Sequence, residues 1–220
     1  MVECLIFDLD ETIYPRDTGL MRAISERISQ YMIERLNMDP EIVPGLRRAY
    51  WEQYGTTSRG LQLLHGIDVQ DYMEYVHDLD VAARIQFDAD LSRALDGLPQ
   101  RKVIFTNATT KHAQAVLRAM RISHHFDAIY DAFFFGNESK PAPEAYRRLL
   151  IDLGLQGTAC LLAEDSARNL YPARELGMVT VLVDPLPGTE FSGIDYVIRR
   201  IAEIEQVVTE IGAKQKRCAQ

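Results

Sequence analysis

The chain has 220 residues, 47% hydrophobic and 25% charged, a globular mixture that argues against wholesale disorder and suffices for one sizeable core with an inserted subdomain. Its 24 basic and 32 acidic residues give a formal charge of −8, which argues against non-specific nucleic-acid binding because phosphates need a basic face. No apolar run approaches the roughly 20 residues that span a bilayer, and an acid follows the start too soon for a signal peptide. Cys4, Cys160 and Cys218 lie far apart and form no CxxC pair, so neither a disulfide framework nor a zinc site is expected, and a reducing cytoplasm fits.

The first predicted element is an apolar strand over residues 2–7, ending in a cluster of acids. From residues 17–84 no strong strand pattern occurs. Leu20, Ile24, Ile28, Tyr31 and Met32 form a helical stripe; Asn37, Pro40, Pro44 and Gly45 are read as a break; Val69, Tyr72, Met73 and Val76 form another stripe after Asp68, a suitable N-cap. Strands resume at 102–105, 128–135, 159–163 and 178–183, as mainly apolar runs that suit a parallel sheet covered on both faces. Between them, Ala113, Val116, Leu117 and Met120 recur at helical spacing, as do Tyr146, Leu149, Leu150 and Leu153, with Pro143 suited to a first turn and Gly154 to a stop. The basic residues from Lys214 to Arg217 read as a solvated tail. The expected architecture is α/β: a Rossmann-like parallel core of residues 1–14 and 86–220, with residues 15–85 inserted as an all-helical cap.

Four short motifs fall where strands end or helices begin. Asp8 and Asp10 are two apart and can converge on one site, where a divalent cation or a shared proton would relieve their repulsion. Thr106 and Asn107 follow a strand and precede a helix, a place that suits an anion or an ordinary cap. Lys140 precedes Pro141 and a helix start, and is either a surface lysine or a point charge for a phosphate. Glu164 and Asp165 end another strand, where acids would also suit a helix dipole.

In order, acid pair, Thr, Lys and acid pair resemble the haloacid dehalogenase superfamily: Asp8-Leu9-Asp10-Glu11-Thr12 matches its first motif, Thr106 the second, Lys140-Pro141 the third and Glu164-Asp165 the fourth. Asp10-Glu11-Thr12-Ile13-Tyr14-Pro15, with Tyr54-Gly55-Thr56-Thr57 and Tyr75-Val76-His77-Asp78, is similar to the pyrimidine 5′-nucleotidase branch. The resemblance implies a phosphatase of helical-cap type. Asp8 would be the nucleophile, Asp10 the general acid and base, and Thr106, Lys140 and the Asn107 N–H the holders of the phosphoryl oxygens. It also implies magnesium held by Asp8, the Asp10 backbone carbonyl and Asp165, with Glu164 acting through water. The expected partner is a small phosphorylated metabolite, with no nucleic acid and no membrane; the oligomeric state stays open.

Tyr14, Tyr54, Thr56 and Thr57 are the candidates for reading a leaving group such as a pyrimidine nucleoside. A sugar-phosphate or pyridoxal-phosphate phosphatase, and a non-catalytic binding protein on the same fold, are the alternatives. The five histidines have no zinc-helix spacing and are read as structural, and Trp51 and Tyr171 as packing residues.

Overall fold

A computed structural model describes residues 1–136 and 138–218, without the side chains of 216–218, so Arg217 and the Cys218 thiol lie outside the described side chains. The chain forms two compact units. One is Met1–Pro15 together with the chain from Gln86 onward, and the other is Arg16–Ile85.

β1 (Cys4–Phe7) is buried along its whole length. The helical unit follows with α1 (Leu20–Glu34), α2 (Val43–Tyr54), α3 (Thr57–His65) and α4 (Val69–Val76). Within it α1 packs on α4, and α2 on α3. The Tyr31 and Tyr72 rings meet edge to face at 5.1 Å, while the Tyr31 hydroxyl donates to Asp71 at 2.9 Å. Pro44 and Gly45 do not break the chain as expected. Pro44 lies in the first turn of α2, where the N–H it lacks would have no helical partner. Asp68 caps α4 as its position predicts, accepting from the Gln70 N–H at 2.8 Å. Trp51, expected to pack, is 49% exposed.

The other unit continues through α5 (Ala89–Asp96), β2 (Arg101–Phe105), α6 (Thr110–Ala119), β3 (Ala128–Tyr130), α7 (Pro143–Leu153), β4 (Cys160–Glu164), α8 (Ala167–Glu175), β5 (Val179–Val183), β6 (Tyr196–Ile198) and α9 (Ile204–Cys218). Among the described residues the strands form one parallel six-stranded sheet in the order β3-β2-β1-β4-β5-β6. β1 is central, so the residues just past β1, β2 and β4 gather at one edge of the sheet, the place where open parallel sheets bind ligands. One face is filled by a cluster in which Phe105 meets Phe135 at 5.0 Å and Tyr146 at 5.1 Å.

β3 stops at Tyr130, short of the strand read over 128–135. The Asp131 carboxylate accepts from the N–H groups of Phe133 and Phe134, a turn that removes them from the ladder. β6 escapes the sequence reading because it is three residues long with one side exposed. Lys214 is exposed as expected but lies on α9 rather than in a tail, and its ammonium pairs with Glu210 at 2.7 Å. No helix among the described residues is long and apolar enough to cross a membrane.

Candidate active site

The first motif is a tight turn beyond β1. The Asp8 N–H still donates to Ala163 O at 2.9 Å, so Asp8 sits at the last ladder position beside β4. Glu11 then takes a positive φ of 62°, and the Ile13 N–H donates back to Leu9 O at 3.0 Å. The turn returns Thr12 onto Asp8, where its hydroxyl donates to Oδ2 at 2.8 Å. The four-residue spacing of Asp8 and Thr12 thus fixes the carboxylate with a local hydrogen bond.

Lys140 comes from the segment before α7 and is 1% exposed. Its ammonium donates to Asp8 Oδ1 at 2.6 Å, Glu164 Oε2 at 2.8 Å and Phe105 O at 2.8 Å. Three acceptors match the three N–H bonds of an ammonium, so this buried cation is satisfied. Asn107 places it: the amide donates to Lys140 O at 3.0 Å and its oxygen accepts from the Lys140 N–H at 2.9 Å. The Asn107 side chain therefore holds lysine backbone, leaving its N–H as the group aimed at a ligand in the sequence reading. Thr106 is buried, its hydroxyl oxygen accepting from the Ala108 N–H at 3.0 Å.

The electrostatics are unbalanced. Burial pushes the Asp8 carboxyl up to about 7, with the Glu164 charge adding to the rise and Lys140 opposing it through its charge and its hydrogen bond. Burial likewise lifts Glu164 to about 7 against the pull of Lys140, with Asp165 adding to the rise. Burial would lower Lys140, but the two acids outweigh it and hold the ammonium charged. Lys140 meets a cluster of acids here, for carboxylate oxygens of Asp8, Glu164 and Asp165 lie within 4.8 Å of one another.

Residues 2–177 match the haloacid dehalogenase-like hydrolase family, most of the chain. The chain belongs to that family. Among curated relatives it is 26% identical over 191 residues to Phosphate metabolism protein 8 of Saccharomyces cerevisiae, covering 80% of this chain and 60% of that protein. It is 32% identical over 153 residues to Protein CbbY of Rhodobacter capsulatus, covering 67% and 65% respectively. The chain thus spans less than two thirds of the length of each. A solved structure of CbbY from Rhodobacter sphaeroides in complex with phosphate is similar at a TM-score of 0.65 and 22% identity, covering 93% of this chain and 96% of that one. A HAD phosphatase from Thermococcus onnurineus reaches 0.66 at 16% identity, covering 94% and 98%. These two likenesses concern the fold.

The donor set of this haloacid dehalogenase-like hydrolase fits a hard divalent cation. All three carboxylates offer oxygen, with neither the thiolates nor the imidazoles that select zinc. A cation would also offset the repulsion among the acids that adds to the effect of burial on Asp8 and Glu164. The Glu164 carboxylate is held in place, Oε2 accepting from Lys140 and Oε1 from the Ser166 N–H at 3.2 Å.

Two residues differ from their sequence reading. Tyr14, expected to face a leaving group, is 1% exposed, and its hydroxyl donates to Asp10 Oδ1 at 2.6 Å. A ring so enclosed has no face left to stack on a base. His112, read with the other histidines as structural, has Nε2 2.8 Å from the same Asp10 oxygen. A single histidine has no spacing to betray it, but its place in the first turn of the helix after β2 points to the sheet edge that carries Asp8. In the helical unit, Tyr54 ends α2, with its ring 6.3 Å from that of Tyr50; Thr57 opens α3. Thr56 caps α3, its hydroxyl accepting from the Arg59 N–H at 3.1 Å.

Proposed function

We propose that this chain hydrolyses small phosphate monoesters through a phosphorylated Asp8, with magnesium as its cofactor. The observation that carries the reading is the Asp8 carboxylate itself: Lys140 holds one oxygen and Thr12 the other, with a second carboxylate, Asp10, in the same turn. Asp8, the Asp10 carbonyl and Asp165 would hold magnesium, with Glu164 beside them. When bound, the ion neutralises the acids and the phosphoryl charge together.

Asp8 attacks phosphorus in line as the ester P–O bond breaks, and Asp10 gives its proton to the departing alcohol oxygen. Water then attacks the same phosphorus, Asp10 takes a proton from it, and Asp8 is released with inorganic phosphate. Lys140 and Thr106, with the Asn107 N–H, hold the charged oxygens through both steps. A carbon–halogen hydrolase needs no acid for its leaving group, so the presence of Asp10 favours the phosphatase.

The substrates we propose are pyrimidine nucleoside 5′-monophosphates. Support comes from the resemblance of residues 10–15, 54–57 and 75–78, and from Tyr54 and Thr57, which remain as candidate readers now that Tyr14 is buried. kcat/KM should be higher for UMP or CMP than for hexose phosphates. A tenfold advantage of hexose phosphates, about 1.4 kcal/mol in transition-state binding, would overturn the nucleotide preference alone. The test of the chemistry is Asp8→Asn, which removes the nucleophilic charge at nearly constant volume. Turnover should disappear while thermal unfolding stays cooperative, and retention of most of the wild-type rate would refute the covalent route.

A further inference from the structure

Asp8, Glu164 and Asp165 are not alone in being placed to share a cation. A carboxylate oxygen of Asp96 and one ring nitrogen each of His124 and His125 also lie within 4.8 Å of one another. Asp96 is the last residue of α5, shortly before β2, and the histidines sit in a 3₁₀ turn, Ser123–His125, shortly before β3. The strands are parallel, so this is the edge of the sheet where they start, opposite the edge that carries Asp8.

Two elements hold the group together. Ser92 and Asp96 are four apart on α5 and share one face of the helix. His125 stands against that face, with Nδ1 3.8 Å from Asp96 Oδ1 and Nε2 3.5 Å from the Ser92 hydroxyl. With the Nε2–H directed to that hydroxyl, Nδ1 keeps its lone pair toward the carboxylate, which is how a metal-binding imidazole is fixed in one tautomer. The His124 and His125 rings lie 4.0 Å apart at 38°, so the exposed His124 brings a second nitrogen to the same place. The Asp96 side chain is 69% exposed, and the group opens into a cleft of about 550 Å³ through which an ion can enter. Asp96 and Asp127 there offset the charges of Arg101 and Lys102, and the Lys102 ammonium already donates to the carbonyls of Leu98 and Gln100. Gln100 lines the same cleft, and among the described residues its Oε1 is buried without a hydrogen-bond partner. Water carried by a bound ion has the O–H bonds that such an oxygen lacks.

We infer that Asp96, His124 and His125 form a zinc site that ties the end of α5 to the turn before β3. Two imidazoles and a carboxylate are a donor set that suits zinc, whereas magnesium prefers an octahedron of oxygens. Around a tetrahedral zinc the ligand atoms stand roughly 3.3 Å apart. The Nδ1–Oδ1 pair at 3.8 Å reaches that separation by a small turn of the exposed Asp96 side chain, and water takes the fourth position. Adjacent histidines match no helical metal spacing, which is why the sequence reads them as structural; the third ligand comes from another element. The ion braces the fold here, and the inference is independent of the phosphatase reading.

The test is calorimetric titration of zinc into chelator-treated Asp165→Asn, a background in which the acid cluster at the other edge has lost a ligand. One equivalent should bind, and a large excess of magnesium should not displace it. In that background His124→Gln, His125→Gln and Asp96→Asn should each weaken zinc binding at least tenfold, about 1.4 kcal/mol. His124 and Asp96 are exposed, so their variants decide the matter should His125→Gln fail to fold. Zinc should also raise the unfolding temperature of the Asp165→Asn protein, and this gain should be lost on adding His124→Gln, because the ion binds the folded arrangement. Zinc uptake unchanged by His124→Gln and Asp96→Asn would overturn the inference, as would uptake that magnesium displaces, or no uptake at all.

Discussion

A lysine that is 1% exposed depends on its acceptors, and the acids around Lys140 depend on it in turn. Lys140→Met keeps the stem of the side chain and removes the only ammonium touching both Asp8 and Glu164 among the described contacts. Breaking a buried pair on one side costs about 3–5 kcal/mol when the other charge cannot escape. Here both acids already lie near 7, so they escape by binding protons, and the cost should fall at the low end at pH 6 and rise toward pH 8. Urea unfolding at the two pH values measures this, and equal losses at both would contradict the coupling. Turnover in the same variant should fall at least about a hundredfold, the scale for one preorganised charge at a developing anion. At this scale the four motifs were legible from their order at strand ends and helix starts, whereas the contacts of Asp8 with Thr12 and of Lys140 with Asp8 and Glu164 were not. His112 was not legible, because it belongs to none of the four motifs and nothing in its neighbours distinguishes it from a buried structural histidine. Tyr14 was legible as a residue of the turn but not as a donor, since sequence does not reveal which way a ring folds.

At the level of elements, boundaries were set by side chains that sequence patterns underweight. The apolar run 128–135 continues past the end of β3, yet the Asp131 carboxylate turns the chain after Tyr130. Pro44 and Gly45 read as breakers, yet a proline in a first turn costs nothing there. The strand order around β1 was foreseeable in kind, as buried parallel strands alternating with helices, whereas short β6 was not. Between α2 and α3 the decisive residue is Gly60, where an added Cβ would stand 2.6 Å from Cβ and Cγ of Tyr50. Gly60→Ala should gain under about 1 kcal/mol in helix propensity and lose about 1–3 kcal/mol to overpacking. The expected net effect is a lower unfolding temperature, with Gly60→Ala combined with Tyr50→Leu less affected than the sum of the two single changes. Strict additivity would place the α2–α3 contact elsewhere. Thr57→Val, at the opening of α3, should instead leave p-nitrophenyl phosphate hydrolysis unchanged and narrow the ratio of kcat/KM for UMP over hexose phosphates. An unchanged ratio would remove Thr57 from the candidate readers.

For the molecule as a whole, the acid cluster ties stability to pH and to metal. Asp8 and Glu164 are raised to about 7 from ordinary values of 3.8 and 4.5, so between those limits the folded chain holds protons that the unfolded chain has released. The side binding more protons gains as pH falls, and here that is the folded side. Stability of the metal-free protein should therefore decline as pH rises from about 4.5 through 7, with the full loss present above the folded values. A divalent cation among the same oxygens competes with those protons, and it binds the folded site alone. Its stabilisation should grow over the interval in which the metal-free protein weakens. Thermal unfolding in chelator and in magnesium, at pH 5.5 and pH 8, measures both effects at once. The chelated protein should unfold at a lower temperature at pH 8 than at pH 5.5, and magnesium should raise the transition more at pH 8. Asp165→Asn should reduce the magnesium gain while leaving the Asp8–Lys140 contact in place. A gain from magnesium that is equal at the two pH values would mean that the ion binds away from Asp8, Glu164 and Asp165.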